Sequence, residues 1–193
     1  ANQNCSQGSI DPQNEERNPL RIPLVETRDY TLPMESLPQT KSCFACGHSN
    51  PLGLNLAFRQ DDDKILTSWI PSEHQTGFSN TIHGGLIATV LDEIMAWTCG
   101  VLGGRFAYSV DLQIRYSQPL QPGQEVTGIG FLNENRRQRI FNTGAKLMVG
   151  ETEIASATGK YLAVKASVED RLWSEFGEKA TTLQAIRAKN DQG

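Results

Sequence analysis

The sequence is short of cysteine, of net basic charge and of long apolar runs, and each shortage removes a class of protein. Four cysteines, Cys5, Cys43, Cys46 and Cys99, scattered over 193 residues, are too few to staple a disulfide framework, so free thiols are expected. Eighteen Lys and Arg against 22 Asp and Glu leave a net charge of -4. Without a general basic field to neutralise phosphate backbones, nucleic acid is not an expected partner, and any anion-binding patch must be local. The apolar stretches fall short of the roughly 18 to 20 residues of a membrane span, and the polar start has no basic segment leading into an apolar one. The expectation is a cytoplasmic chain without a membrane span. Its 38% of hydrophobic residues are enough for a single core.

Five of the nine prolines, Pro12, Pro19, Pro23, Pro33 and Pro38, lie in the first 38 residues. Proline cannot sit inside a helix or a central strand, so residues 1–40 read as an extended arm, with the folded core beginning near Cys43. Residues 54–58 and 65–70 alternate as strands do, and Asp61-Asp62-Asp63 between them can turn a hairpin. Residues 84–101 carry apolar side chains at helical spacing and form the one long helix of the core. From Tyr108 the period returns to two, with Tyr108, Val110, Leu112, Ile114 and Tyr116 on one face. Strands at 125–133, 138–149 and 153–164 follow. Leu172, Trp173, Phe176, Ala180, Leu183 and Ile186 mark an amphipathic helix interrupted by Gly177. The chain therefore divides into an arm (1–40), a domain (41–166) and a C-terminal helix and tail (167–193). Two strands, a helix and then a run of antiparallel strands is an α+β order, packed most simply as a curved sheet around the helix.

The chemistry concentrates between His83 and Glu93. Projected at about 100° per residue, Ile87, Val90, Ile94, Trp97 and Val101 gather on the side a sheet would cover. Asp92 lies opposite, with Gly85, Ala88, Thr89, Met95, Ala96 and Cys99. That face of mostly small residues admits another backbone at close range. Glu93, about 100° away, ranks behind Asp92 as a functional acid. Gly84 and Gly85 open the helix, so their N–H groups lack intrahelical partners and sit at the positive end of the helix dipole, where they can polarise a carbonyl oxygen. Asp92 is the complementary carboxylate, activating water or attacking directly. Eight residues of helix separate Gly84 from Asp92 by about 12 Å, so one helix cannot present both to one carbonyl carbon. Two antiparallel copies across a two-fold axis can.

Together these residues resemble the PaaI-like branch of the hotdog thioesterases, whose signature is HGG followed by a helix with Asp nine residues after the His. The resemblance extends over residues 43–164 and includes Cys43-Phe44-Ala45-Cys46-Gly47, Asn50-Pro51-Leu52-Gly53-Leu54, Leu91-Asp92-Glu93 and Ser109-Val110-Asp111. It implies a hotdog fold, in which a curved antiparallel sheet wraps one long central helix. It further implies a homodimer or dimer of dimers, an acyl-coenzyme A or related pantetheine thioester as substrate, and no cofactor. The family's carboxylate falls on Asp92, its polarising N–H on Gly84 and its later hydroxyl on Ser109. Related enzymes often carry an amide side chain six residues before HGG; here that position is Gly77, and Gln75 and Asn80 are the nearest substitutes.

The other candidates each keep two readings. His83 is either a base or a satisfied structural histidine at the helix entrance. Ser109 falls on the polar side of its strand by strict alternation, unless a bulge intervenes. Cys43-x-x-Cys46 with His48 offers three possible ligands but no second pair, so no metal is expected. Within Asn135-Arg136-Arg137-Gln138-Arg139, Arg137 and Arg139 either decorate a solvated turn or bind coenzyme A phosphates. The rivals to hydrolysis are a hydratase or dehydratase of the same fold and a non-catalytic acyl-CoA-binding module.

Overall fold

The strands are β1 (Phe58–Asp61), β2 (Lys64–Trp69), β3 (Thr76–Phe78), β4 (Thr81–Ile82), β5 (Ala107–Tyr116), β6 (Val126–Arg136), β7 (Ile140–Val149) and β8 (Thr152–Ala163), of which the short β3 and β4 lie in a polar connection that carries no alternation. Helical spacing produces α1 (Gly84–Val101), α2 (Ala166–Ser174) and α3 (Ala180–Asn190). The computed structural model describes residues 36–190; the rest of the expected arm and the last residues of the tail lie outside them. Six strands form one antiparallel sheet in the order β1-β2-β6-β7-β8-β5, and α1 packs along its concave face. This is the α+β hotdog architecture. A separate pair, β3-β4, leads into the helix.

The approach of α1 to the sheet is made by glycine. A Cβ on Gly130 of β6 would stand 2.5 Å from Ile94 Cγ2 and 2.5 Å from Thr98 Oγ1, and one on Gly128 would stand 2.6 Å from Ile94 Cδ1. Gly159 of β8 likewise leaves room for Met95 and Tyr161. Ile87, Val90, Leu91, Ile94, Met95, Thr98 and Cys99 are buried as a result. By length and composition α1 matches a membrane span, yet it is the helix its own sheet wraps.

Several boundaries differ from the sequence reading. The first strand begins at Phe58, because Leu54 and Leu56 instead give their N–H groups to the carbonyls of Phe44 and Ala45. The fold already includes the end of the arm: Leu37 is buried and donates its N–H to Phe58 O at 2.7 Å, and Ser36 bridges to Arg59. Strand β6 runs on to Arg136, and the hairpin turns at Arg137 and Gln138, both at positive φ (55° and 52°), as a two-residue turn of matching twist requires. Gly177, at φ 55°, splits the C-terminal segment into α2 and α3.

Trp97 faces the sheet as projected, stacking on Phe58 of β1 at 5.2 Å between centroids, and meets Phe176 edge-on at 5.9 Å. Two faces differ from the sequence reading. Met95 and Cys99, grouped with Asp92 on the projection, are buried within the chain. Strict alternation along β5 fails because Val110 is an extra residue: Ser109 pairs with Tyr161 and Asp111 with Lys160. Such a bulge exchanges the two faces of a strand.

The α1–β6 contact yields a direct test. Gly130→Val should cost about 2 to 3 kcal/mol and lower Tm by roughly 5 to 10 °C, read by thermal denaturation. An unchanged Tm would mean that the helix does not lie on this glycine.

Candidate functional site

The site begins where the chain enters α1. His83 is the N-cap, at φ -62° and ψ 126°, and its Nδ1 accepts the Gly85 N–H at 2.9 Å. The His83 N–H in turn donates to Gln75 O at 2.9 Å. A ring nitrogen occupied in this way supports the structural reading of His83 over that of a base. It also removes Gly85 as a donor to substrate. The Gly84 N–H takes no partner among the described residues, while Tyr116 Oη donates to the Gly84 carbonyl at 3.0 Å and anchors the helix start to β5.

The position of the missing amide is explained by the same entrance. A Cβ on Gly77 would meet His83 Cδ2 at 3.0 Å and His83 Cα at 3.2 Å, so a long side chain there would displace the cap. Of the two suggested substitutes, Gln75 accepts the Ser72 N–H at its Oε1 at 2.9 Å, and Asn80 stands in an exposed turn at φ 55°.

Asp92 is half-buried, and its Oδ1 accepts a hydrogen bond from Tyr161 Oη at 2.6 Å; the same hydroxyl lies 3.2 Å from the Asp92 carbonyl. Burial, reinforced by the adjacent Asp92 charge, pushes the Tyr161 phenol well above its ordinary pKa, so it remains a donor that fixes the carboxylate. Tyr161 was not singled out from the sequence. Its signal is present in β8, where the helix-facing positions read Ala155, Ala157, Gly159 and then Tyr161: three small residues that let the helix come close, followed by one able to reach it.

The bulge at Val110 decides the placing of Ser109. Directly opposed residues of an antiparallel pair share a face, and Ser109 opposes Tyr161 while Leu112, Ile114 and Tyr116 oppose Gly159, Ala157 and Ala155. Ser109 is therefore on the helix side beside Tyr161, whereas Tyr108 and Val110 face outward and are exposed.

Glu93, ranked second from the projection, faces a different group. Its Oε1 accepts from Trp97 Nε1–H at 3.1 Å, and its two oxygens lie 3.7 and 3.8 Å from Cys43 Sγ. Burial, with the charge of Cys43 beside it, raises Glu93 to about 7. Hydrogen bonding from Cys46 holds the Cys43 thiol down at about 5 despite burial, and the same pairing pushes Cys46 up. His48 is not part of this cluster; its Nδ1 is 2.8 Å from Thr40 O on the exposed side of the loop. Among the described residues, Cys43, Cys46 and Glu93 are the group able to hold a metal.

A cavity of about 500 Å³ opens beside these residues. Its walls include Cys43, Glu93, Ala96, Trp97, Ala107 and Phe176. Asp92 is not itself among the lining residues; Ala96, one helical turn beyond it, and Ala107, two residues before Ser109 on the same face, are the wall residues nearest to it along the chain. Arg137 and Arg139 are exposed on the β6–β7 hairpin. The hairpin stands at the Tyr161 end of the sheet, since Arg139 O accepts from Ala163 N–H at 2.9 Å. Arg136 of the same cluster is instead paired with Glu134 at 2.7 Å.

Residues 79–163 match the family model described as the thioesterase superfamily. Among solved structures, the chain resembles a thioesterase superfamily protein with 20% identity and a TM-score of 0.57, covering 61% of this chain and 58% of that one. The chain thus spans less than two thirds of that relative. The Escherichia coli PaaI protein of the phenylacetic acid degradation operon is similar at 15% identity and a TM-score of 0.54 over 58% of this chain and 81% of its own. A Streptococcus mutans UA159 protein solved with acetyl-CoA is similar at 17% and 0.54, over 61% of this chain and 94% of its own. No curated protein matches by sequence.

The cap reading of His83 separates from a base by substitution. His83→Asn keeps a side-chain acceptor for the Gly85 N–H and should leave stability nearly unchanged, whereas His83→Ala should cost about 1 kcal/mol, measured by urea unfolding. Equal losses in the two variants would show that the ring does not act as a cap.

Proposed function

We propose, starting from residues 79–163 as a hotdog domain of the thioesterase superfamily, that the chain hydrolyses acyl-coenzyme A or a related pantetheine thioester. One observation carries this reading: Asp92, held by Tyr161 at 2.6 Å, lies one helical turn from Ala96, which lines a largely apolar cavity large enough for an acyl group. In the reaction the thioester carbonyl oxygen accepts the Gly84 N–H, where the helix dipole stabilises developing negative charge. Asp92 takes a proton from water as its oxygen adds to the carbonyl carbon, or adds to that carbon itself and is released by water in a second step. The carbon–sulfur bond breaks, and the products are the carboxylic acid and the coenzyme thiol.

Gly84 and Asp92 of one helix are about 12 Å apart, so the reading includes a homodimer in which one subunit supplies the N–H and the other the carboxylate. Several features support it. The half-exposed stripe Gly85, Ala88, Asp92 and Ala96 stays uncovered on α1. Strand β5 is a sheet edge paired with β8 alone among the described strands, and it exposes Tyr108, Val110 and Tyr116. An edge of this length invites a partner. The acyl group then passes over Ala96 and Ala107 into the cavity, and the coenzyme phosphates lie toward Arg137 and Arg139. The solved S. mutans relative with acetyl-CoA is consistent with that class of ligand. A second reading, a non-catalytic acyl-CoA-binding module, draws on the crowding of Gly77 against His83, which leaves no amide there to orient water.

Asp92→Asn separates the two. It should lower thiol release from acyl-CoA by about 100-fold or more while binding persists; retention of more than about a tenth of turnover would sink the assignment. Mixing Asp92→Asn with Gly84→Pro chains should restore about a quarter of wild-type activity, because half of a random mixture is heterodimer with one intact site in two. Inactive heterodimers, shown by mass spectrometry to have formed from folded chains, would exclude a site shared across subunits.

The cavity gives a separate expectation for specificity. Ala96→Phe fills its mouth and should depress turnover of long-chain acyl-CoA by about 10-fold or more, while acetyl-CoA stays within about threefold of wild type. A uniform loss at every chain length would place the acyl group elsewhere.

A further inference from the structure

Cys43, Cys46 and Glu93 come from two distant pieces of chain and converge. Their ligand atoms all lie within 4.8 Å of one another. Around a tetrahedral ion with metal–sulfur bonds of about 2.3 Å and metal–oxygen bonds of about 2.0 Å, neighbouring donor atoms stand roughly 3.5 to 3.8 Å apart. Cys43 Sγ is 3.7 and 3.8 Å from the Glu93 oxygens, so that pair already has the spacing of two ligands on one ion.

The loop carrying the thiols is shaped for this. The Ala45 N–H donates to Cys43 Sγ at 3.3 Å, and the Gly47 N–H returns to Cys43 O at 2.9 Å. A Cβ on Gly47 would sit 2.4 Å from that carbonyl, so the turn that brings both sulfurs to one side needs glycine. The outer contacts that orient ligands are also present. Trp97 Nε1–H holds the Glu93 carboxylate at 3.1 Å, and Thr40 Oγ1 lies 3.1 Å from Cys46 Sγ.

Charge makes an independent case. Among the described residues no Lys, Arg or His pairs with Glu93. The cavity walls hold two thiols and two carboxylates, Glu93 and Glu175, and no basic side chain at all. Glu93 is held by the Trp97 N–H and lies against Cys43, but a largely desolvated carboxylate without a cation is costly, and what this set of donors lacks is positive charge.

We propose that Cys43, Cys46 and Glu93 form a three-ligand site for a thiophilic divalent cation of the zinc class, with its fourth position turned to the cavity. Two sulfurs and one carboxylate select such an ion over magnesium or calcium, which take oxygen donors. The ion binds both sulfurs as thiolates, so any proton still carried by Cys43 or Cys46 passes to solvent as it binds. The ion ties the loop of residues 43–47 to α1, and its presence does not depend on the hydrolytic reading.

Cobalt(II) titration of the full, reduced, metal-free chain tests this without any measurement of turnover. The expected result is a sulfur-to-cobalt charge-transfer band and the intense visible bands of a four-coordinate ion, saturating at one equivalent and displaced by zinc. Cys43→Ser and Cys46→Ser should each remove the four-coordinate spectrum. Glu93→Gln should keep the charge-transfer band and weaken affinity by about 10-fold or more, whereas His48→Ala and Cys99→Ser should change nothing. The absence of a saturable spectrum in the reduced wild-type chain, whose folding circular dichroism verifies, would overturn the proposal. So would a spectrum that survives loss of both Cys43 and Cys46, or one that needs Cys99. Isolation of the pair as a Cys43–Cys46 disulfide whose reduced form ignores cobalt would also overturn it.

Discussion

The closeness of α1 to β6 is the constraint on which the rest depends. Without side chains at Gly128 and Gly130, Ile94 and Thr98 settle directly on the sheet backbone, and the depth of that contact sets the height of every residue along the helix. Asp92 then falls within reach of a tyrosine hydroxyl on β8, and Glu93 falls within reach of the cysteine loop. Larger residues in β6 would lift the helix, and a hydrogen bond of 2.6 Å tolerates little displacement before it is lost.

The helix itself was legible because its evidence is local. Apolar spacing, the paired glycines and the preceding histidine mark residues 84–101, and these are the limits of α1. The long strands β7 and β8 were legible for the same reason, with errors of a residue or two where pairing outlasts hydrophobic alternation. What escaped depends on partners far along the chain. The bulge at Val110 exists only through the register of β5 against β8, and it decides between the two placements of Ser109 that alternation left open. Tyr161 is 69 residues from Asp92, and Cys43 is 50 from Glu93; no periodicity links either pair. Helical projection placed Asp92 and Glu93 on different sides correctly, but it could not say that both sides are occupied by chemistry.

The segment matching the superfamily ends at Ala163, yet much of the cavity wall lies beyond or before it. Leu172 and Leu183 come from the C-terminal helices, Phe176 from the link between them, and Thr40, Ser42 and Cys43 from the loop ahead of β1. Asp92 with Tyr161, and much of the wall of the neighbouring cavity, are thus carried by different parts of the chain. Substitution in the extensions can reshape the cavity while Asp92, Tyr161 and Gly84 stay in place.

The two-helix closure also has a kinetic meaning. Arg187 on α3 lies over the rings of Phe106 and Trp173, at 4.0 and 4.6 Å from their centroids, and donates to the carbonyl of Gly100, 87 residues away. Its guanidinium also meets Glu169, which binds Arg105. A single side chain therefore gathers the end of α1, the entry to β5 and both C-terminal helices. Closing so long a loop forfeits chain entropy before the contacts can compensate, which disfavours early formation of this cluster. Although α2 and α3 add no strand to the sheet, Phe176 and Leu183 are buried in the same core as Trp97 and Val101, so parting the two helices from the sheet would uncover apolar surface and carry a cost in stability.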